Sequence, residues 1–173
     1  MSRRRFFGRM KYMAEKNLAN KKIAMVIAFR EFRDIEYFIP RNILAGAGAL
    51  ITAVSSQKGI AIGADGGEVQ VNLAASEVNV EDFDAVVFIG GSGMGKKIDN
   101  PDFHRIAKEA AEKNKVLGAI CIAPALLAKA GVLSGKKATV WSGPLDKSAV
   151  KILKEAGARY LTEDVVVDGK LVT

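Results

Sequence analysis

The chain has 173 residues, which is enough for a single domain with a substantial core, and its apolar fraction of 49% is ordinary for a globular protein. Its single cysteine excludes an intrachain disulfide. One cysteine and one histidine in the whole chain are too few ligands for a zinc or iron–sulfur site. We therefore expect a reducing cytoplasmic location, no metal and no cofactor. Because no apolar run approaches the ~20 residues of a membrane span, we expect no membrane partner.

The net charge of +7 is concentrated at the N-terminus. Residues 1–22 carry eight Lys or Arg and one Glu, whereas the rest of the chain holds equal numbers of basic and acidic residues. We divide the chain into a basic N-terminal extension, residues 1–21, and a domain, residues 22–173. The extension is interpreted as a solvated or helical segment, and binding to an acidic surface stays open. A nucleic-acid partner is not expected, because residues 23–173 carry no net charge.

The first half of the domain alternates strand-like and helix-like patterns. Continuous apolar runs predict buried strands in "KIAMVIAF", "GALITAVSS" and "FDAVVFIGG". Between the first two, apolar residues recur at helical spacing and predict a helix: Ile35, Phe38, Ile39, Ile43, Leu44 and Ala47. "IAIGADGGEVQV" predicts a hairpin that turns at Asp-Gly-Gly.

The second half continues the alternation. "NPDFHRIAKEAAEKNK" predicts an amphipathic helix whose apolar face comprises Phe103, Ile106, Ala107, Ala110 and Ala111. A strand, Val116 to Ile120, then leads through Cys121 into a helix-like run, Pro124 to Ala130. "GKKATVW" predicts another strand, "LDKSAVKILKEAG" a helix closed by Gly157, and "TEDVVVDGKLVT" a hairpin around Asp168-Gly169.

This alternation predicts an α/β fold with a parallel sheet and helices on both faces. In such sheets, functional sites gather at the carboxyl ends of the strands. Three strand ends carry unusual residues: the one before Glu36, the one at Gly90–Gly91 and the one at Cys121.

The glycine-rich stretch "GGSGMGKK", residues 90–97, is one residue short of a phosphate-binding P-loop. Lys97 stands where a P-loop has Ser or Thr to hold magnesium, and we predict that the next helix begins only at Asn100–Pro101. We therefore favour the other use of a glycine-rich strand end, in which free backbone N–H groups bind an oxyanion.

Cys121 has two interpretations from the residues alone. A free cysteine is often only a small buried hydrophobe. A thiol at a helix N-terminus, however, is stabilised as thiolate by the helix dipole and by unpaired N–H groups. Pro124, in the first turn of the predicted helix, is compatible with a helix that begins at or just after Cys121.

The segment from about Lys22 to Thr173 resembles the ThiJ/PfpI family, within the class I glutamine-amidotransferase-like superfamily. The matching pieces occur in family order: "DIEYFIP", "DAVVFIGG", "GAICIAPALLAKAGVLSGKKAT" and "VVVDGKLVT". The resemblance implies a flavodoxin-like three-layer sandwich with a mostly parallel sheet and Cys121 on a strained nucleophile elbow. Family members are reported as intracellular peptidases, glyoxalases, protein deglycases, chaperones and redox sensors.

The resemblance also assigns roles to residues. Cys121 matches the nucleophile or oxidation-sensitive thiol, and Glu36 matches the acid that hydrogen-bonds its sulfur in protonated form. From the residues alone, Glu36 is equally an ordinary acid in the first turn of a helix. The backbone N–H groups of Gly91 and Ile122 match the oxyanion hole. The further residues expected at the pocket are Gly90, Trp141 and Ser142.

The histidine pattern departs from the family. Peptidase-like members carry His directly after the Cys, where this chain has Ile122, and others carry one after the "KAT" strand, where this chain has Trp141 and Ser142. The single histidine, His104, falls within a predicted helix, so no Cys-His-acid triad forms in one chain unless His104 crosses from a second subunit. Peptide cleavage is not expected, because no imidazolium is available to protonate the leaving amine.

Two functions from different classes remain open. One is a cysteine-dependent hydrolase or lyase acting on small dicarbonyls, such as methylglyoxal, or on their protein adducts. The other is a non-enzymatic, redox-responsive stress or chaperone-like protein that uses an oxidisable Cys121. The resemblance implies a homo-oligomer, a dimer or a larger ring. The family usually continues beyond "DGKLVT" into a last helix, whereas this sequence stops at Thr173. We expect either that the chain is truncated or that another segment, such as the basic extension, or a neighbouring subunit covers that face.

Overall fold

The computed structural model describes residues 17–173, so residues 1–16 of the predicted basic extension lie outside the described residues. The strands are β1 (Lys22–Val26), β2 (Arg30–Phe32), β3 (Leu50–Ser55), β4 (Gly59–Gly63), β5 (Glu68–Val71), β6 (Leu73–Ala74), β7 (Ala85–Phe88), β8 (Val116–Ala119), β9 (Lys137–Ala138), β10 (Arg159–Tyr160), β11 (Val167–Asp168) and β12 (Leu171–Val172). The helices are α1 (Asp34–Gly46), α2 (Ser92–Gly95), α3 (Pro101–Glu112), α4 (Ala123–Lys129) and α5 (Ser148–Glu155).

The central sheet has seven strands in the order β11-β12-β8-β7-β1-β3-β6. Every pairing in it is parallel except β11 with β12, which form the predicted C-terminal hairpin. β1 lies near the middle, with Ile23 opposite Ile51 on one side and Ala85 on the other. The predicted α/β class with a mostly parallel sheet is confirmed.

Side chains along β1 alternate between two cores, as the two-residue period of a strand requires. Ala24 and Val26 belong to the larger core, which also holds buried side chains of α3, α4 and α5. Ile23, Met25 and Ile27 belong to the smaller core on the opposite face, which α1 helps to cover. The sheet is therefore sandwiched between two layers, as predicted.

The predicted "IAIGADGGEVQV" hairpin is confirmed, since β4 and β5 pair antiparallel with Gly59 opposite Val71. It does not join the central sheet. β2, a strand of three residues that the sequence pattern did not reveal, pairs parallel with β4 and forms a separate three-stranded sheet. The predicted strand in "GKKATVW" is reduced to β9, which pairs with β10 in a two-stranded sheet.

The helix predicted from apolar spacing is confirmed as α1, but its apolar residues do not all face the core. Ile35, Ile39 and Ile43 are 55%, 57% and 65% exposed, whereas Tyr37 is buried against Phe32. The helical spacing was right, but apolar residues occupy more than one side of α1, and the sheet buries the side of Tyr37. On α3 the predicted face is buried except for Ala111, which is exposed.

The glycine-rich stretch also differs from its prediction. The short helix α2 begins at Ser92, ahead of α3, whose cap is Asn100 as predicted. Across residues 17–173, no helix combines the length and apolar character needed to cross a membrane.

Candidate active site

Cys121 occupies a sharp turn between β8, which ends at Ala119, and α4, which begins at Ala123. Its φ of +62° lies in the left-handed region, which costs a residue with a side chain about 1–2 kcal/mol. The turn is fixed on both sides, because Ile120 N–H donates to the carbonyl of Phe88 and Cys121 O accepts from Trp141 N–H. The fold therefore holds this thiol in a strained conformation at a strand end.

Glu36 reaches the thiol from the first turn of α1. Its Oε2 accepts a hydrogen bond from Gly90 N–H at 3.1 Å, and its carboxyl lies within hydrogen-bonding reach of the Cys121 sulfur. The side chain is half-buried, so it points inward rather than into solvent. α1 is anchored nearby by Asp34, whose two carboxylate oxygens accept from Asp65 N–H at 2.8 Å and Gly67 N–H at 2.6 Å.

Gly90 and Gly91 leave room for this contact. A Cβ on Gly90 would lie 2.6 Å from both Cys121 Cβ and Glu36 Oε2. Gly91 has a φ of +103°, and a Cβ there would lie 2.5 Å from Arg33 N. Close backbone approach and a left-handed conformation both explain why glycine occupies these positions.

Two backbone N–H groups converge on the Cys121 sulfur, those of Gly91 and Ile122. These are the two groups that the sequence comparison with the family assigned to an oxyanion hole. The structure thus brings Cys121, Glu36, Gly91 and Ile122 together, with Gly90 packed between the thiol and the carboxyl. An oxygen bonded to the carbon that the sulfur attacks would form within reach of the same donors.

The electrostatics of the pair differ from the expectation of a thiol activated by a helix. Burial raises the pKa of the Cys121 thiol, the negative charge of Glu36 raises it further, and the N–H groups of Gly91 and Ile122 oppose this only in part. Burial also raises the pKa of the Glu36 carboxyl, against the opposing effects of its hydrogen bonds to Cys121 and Gly90. The two groups therefore favour holding one proton between them, which avoids a buried pair of negative charges.

The thiol opens into a cleft of about 650 Å³, a volume within the range of small-molecule sites. Trp141 and Ile122 form part of its wall. Trp141 and Cys121 also border a second pocket of about 320 Å³, which is lined by Ser142 and not by Glu36. The expected pocket residue Ser142 therefore lines the second pocket and not the cleft that contains Glu36, and its hydroxyl accepts from Lys147 Nζ.

Sequence comparison agrees with this geometry. The sequence profile of the DJ-1/PfpI family matches residues 21–173. The chain belongs to the DJ-1/PfpI family. It is 41% identical over 158 residues to an uncharacterised protein of Methanocaldococcus jannaschii, covering 91% of this chain and 76% of that protein. It is 33% identical over 149 residues to deglycase PfpI of Pyrococcus furiosus, covering 86% of this chain and 87% of that protein.

Solved structures support the same assignment. The crystal structure of a ThiJ/PfpI domain protein from Brachyspira murdochii superposes with a TM-score of 0.82 at 30% identity, covering 89% of this chain and 86% of that chain. The flavodoxin-like architecture of the DJ-1/PfpI family, predicted from the sequence, is thereby confirmed.

The histidine of this family member lies away from the thiol. His104 sits on α3, where its Nε2 is 2.7 Å from the carbonyl oxygen of Ile98, in a groove bordered by Arg105 and Lys108. Neither pocket that reaches Cys121 is lined by His104. In the part of the chain that the structure describes, no cluster of three or more His, Cys, Asp or Glu side chains is arranged to hold a metal.

Arg33 and Ile35 line the cleft beside Glu36, and neither was predicted there from the sequence. Both lie within or next to the quoted "DIEYFIP" motif, so their proximity to Glu36 in the chain was an available signal. The Gly91–Gly95 segment also borders the cleft through α2, whose start was not predicted.

Proposed function

We propose that this protein is a cysteine-dependent enzyme that converts reactive 2-oxoaldehydes, or their adducts on proteins, to hydroxy acids. The observation that supports the proposal most strongly is the arrangement at one sulfur: a carboxyl group and two backbone N–H donors meet at Cys121 in an open cleft. The name of the P. furiosus relative, deglycase PfpI, supports the same class of chemistry. We place this activity in the cytoplasm, where a single free cysteine stays reduced.

The first step uses the proton shared by the pair. The sulfur attacks the aldehyde carbon of methylglyoxal, a C–S bond forms, and the shared proton moves to the former carbonyl oxygen, which gives a hemithioacetal. The N–H groups of Gly91 and Ile122 stabilise the negative charge that develops on that oxygen. Such donors are typically worth about 10²- to 10³-fold each in rate. Glu36 is left as a carboxylate beside the new carbon centre.

Glu36 then performs the isomerisation. Its carboxylate takes the proton from the former aldehyde carbon and returns one to the neighbouring carbon, while the hydroxyl proton moves to the ketone oxygen. The product is a thioester of lactic acid on Cys121. Water adds its hydroxyl to the thioester carbon, the C–S bond breaks, and the sulfur regains a proton. The overall reaction consumes one water and needs no external oxidant.

Peptide cleavage fits the site less well. A leaving amine must be protonated, and neither pocket at Cys121 is lined by an imidazole in residues 17–173. Isomerisation of a hemithioacetal has no leaving amine, so one carboxyl group can serve both proton transfers.

The test compares lactate formation from methylglyoxal by wild type, Cys121→Ala and Glu36→Gln. We expect wild type to form lactate, Cys121→Ala to form none above the uncatalysed rate, and Glu36→Gln to lose at least about 100-fold in kcat/KM, the usual contribution of a general acid or base. Circular dichroism of each variant checks that it is folded. Equal lactate formation by wild type and Cys121→Ala would overturn the proposal.

A second candidate function, oxidation sensing, is favoured by the same donors at a thiol that is only half-buried. Hydrogen peroxide would convert the thiol to sulfenic acid and release water, and the N–H groups of Gly91 and Ile122 could bind the added oxygen. Intact mass after mild peroxide treatment tests this role. An unmodified Cys121 at peroxide concentrations that oxidise a free thiol would exclude it.

We also propose that the chain forms a homo-oligomer through α1. Ile35, Ile39 and Ile43 recur every four residues, so they form one exposed apolar stripe along this helix. Ile35 also borders the cleft, so a second copy on the stripe would lie beside the site. Light scattering should give a mass above that of one chain, and Ile39→Glu with Ile43→Glu should lower it. A wild-type mass of one chain would contradict this arrangement.

A further inference from the structure

The cleft at Cys121 contains one side chain whose charge the chemistry above does not use. Arg33 lines this cleft together with Glu36, Gly91 and Ile122. Its backbone is fixed close to the reacting groups. Arg33 N–H donates to Gly90 O at 3.1 Å, and Arg33 N would lie 2.5 Å from a Cβ added to Gly91. The side chain itself is exposed at the edge of the cleft.

The carboxylates that flank Arg33 in the chain are engaged elsewhere. Both oxygens of Asp34 accept from backbone N–H groups of the β4–β5 turn. Glu31 accepts from Ser92 Oγ at 3.0 Å and pairs with Lys96 Nζ at 2.7 Å. Among residues 17–173, no acidic side chain forms an ion pair with the Arg33 guanidinium.

The cleft thus has one basic side chain, Arg33, whose positive charge balances the single negative charge of the Cys121–Glu36 pair. Its ionisable lining groups are Arg33, Glu36 and Cys121, and the last two favour sharing a proton. The Arg33 charge acts on the Glu36 carboxyl, so the guanidinium stands within electrostatic range of the reacting groups. A guanidinium presents a planar set of donors that matches a carboxylate.

The volume of the cleft points to a substrate longer than methylglyoxal. At about 650 Å³, the cleft has room for a molecule that occupies the thiol and extends to the edge where Arg33 lies. The remaining wall contributes apolar surface from Ile35, Ile122 and Trp141. A substrate with a short carbon chain between its reactive carbonyls and a terminal anion fits this arrangement: the carbonyls lie at Cys121, the chain lies against the apolar wall and the anion lies at Arg33.

We propose that Arg33 forms an anion-binding subsite and that the preferred substrate is a 2-oxoaldehyde with a terminal carboxylate, of which 4,5-dioxopentanoate is an available example. This inference rests on the proposed function for its chemistry, since the aldehyde carbon reacts with Cys121 as methylglyoxal does. The aldehyde carbon is oxidised to a carboxylate, the ketone carbon is reduced to an alcohol, and one water is consumed. The distal carboxylate is unchanged and gives 2-hydroxyglutarate.

The subsite can be tested without catalysis, because Cys121 is the only cysteine of the chain. Iodoacetate and iodoacetamide alkylate a thiol by the same displacement of iodide, but only iodoacetate carries a negative charge. We measure the ratio of their rate constants for Cys121, divided by the same ratio for free 2-mercaptoethanol. In wild type we expect this normalised ratio to be about 10, because one hydrogen bond to a charged group favours binding by about that factor.

Arg33→Gln should bring the normalised ratio close to one, and Arg33→Lys should retain part of the preference. Raised salt should lower the wild-type ratio, since exposed charges are screened. Arg41→Gln is the matched control, because Arg41 is an exposed arginine of α1 that contacts Asn42 and lies outside the cleft. The inference fails if wild type and Arg33→Gln give equal ratios, or if Arg41→Gln lowers the ratio as much as Arg33→Gln.

Turnover then separates this inference from the function it rests on. We expect kcat/KM for 4,5-dioxopentanoate to exceed that for methylglyoxal, and Arg33→Gln to lower the quotient of the two values about tenfold. If methylglyoxal is turned over through Cys121 but the quotient is the same in wild type and Arg33→Gln, the anion subsite is refuted and the proposed function stands. If alkylation shows the charge preference but neither aldehyde is turned over, the subsite stands and the proposed function is refuted.

Discussion

Gly90 offers a steric test of the contact between Cys121 and Glu36. A Cβ introduced by Gly90→Ala would lie 2.6 Å from Cys121 Cβ and 2.6 Å from Glu36 Oε2, whereas ordinary van der Waals contact begins at 3.4 Å. The neighbouring atoms must therefore withdraw by the difference, 0.8 Å. Both are atoms of the reacting pair, so relief of the clash separates the thiol from the carboxyl.

Displacements near 1 Å in a catalytic arrangement cost about 100-fold in rate, so we expect kcat/KM for methylglyoxal to fall by about that factor in Gly90→Ala. Overpacking costs about 1–3 kcal/mol of unfolding free energy, which lowers Tm by roughly 2–12 °C for a chain of this size. The assays are lactate formation, measured below the unfolding transition of the variant, and thermal unfolding followed by circular dichroism.

The matched control is Gly46→Ala at the end of α1, where an added Cβ meets nothing within 4 Å. This variant should keep wild-type turnover and unfold at the same or a slightly higher temperature, because Ala is the better helix former. Wild-type kcat/KM in Gly90→Ala would show that the separation between thiol and carboxyl does not govern turnover.

Three further predictions follow from the same geometry. In Glu36→Gln the pKa of Cys121 falls, because the negative charge that raises it is gone, so the pH profile of iodoacetamide alkylation shifts to lower pH although turnover is lost; an unshifted profile would contradict the assigned contact. Cys121→Gly should unfold at a Tm roughly 2–4 °C above that of Cys121→Ala, since glycine removes about 1 kcal/mol of left-handed strain; the reverse order would show that φ at this turn is unstrained. Asp34→Ala should lower the unfolding free energy by about 2–3 kcal/mol in urea titrations, because the N–H groups of Asp65 and Gly67 lose their acceptor; a change below 0.5 kcal/mol would be too small for that role.

Much of the fold was predictable because its strands are buried on both faces. β1, β7 and β8 appear in the sequence as continuous apolar runs. The runs of β7 and β8 lead into Gly90 and Cys121, and the carboxyl ends of these neighbouring parallel strands meet at one edge of the sheet. β2 was not predictable in the same way. It has only three residues, Arg30–Phe32, and pairing with β4 rather than an apolar pattern defines it.

The exposed stripe on α1 shows that hydrophobic periodicity does not by itself predict which side of a helix is buried. Ile35, Ile39 and Ile43 follow helical spacing, which predicts a buried face, but they lie on the side away from the sheet. Spacing reveals that residues share a face, and it does not reveal which face a sheet will cover when Tyr37 and Phe38 provide a competing one.

The candidate site was likewise predictable only in part. The position of Cys121 between a strand and a helix was visible in the sequence, and the resemblance supplied Glu36, Gly91 and Ile122. The sequence did not predict the direction of the Cys121 pKa shift, because burial and the Glu36 charge act through space and outweigh the N–H donors. Arg33 was missed because its place at the cleft depends on how α1 meets the Gly90–Gly91 turn.

One titration tests the central claim, that Cys121 carries the turnover of 2-oxoaldehydes, without altering the sequence. Because the chain has a single cysteine, graded alkylation with iodoacetamide modifies one known atom, and intact mass gives the modified fraction. The rate of lactate formation from methylglyoxal should fall in proportion to that fraction and reach the uncatalysed rate at one label per chain. Lactate formation that persists in fully alkylated protein would contradict the claim.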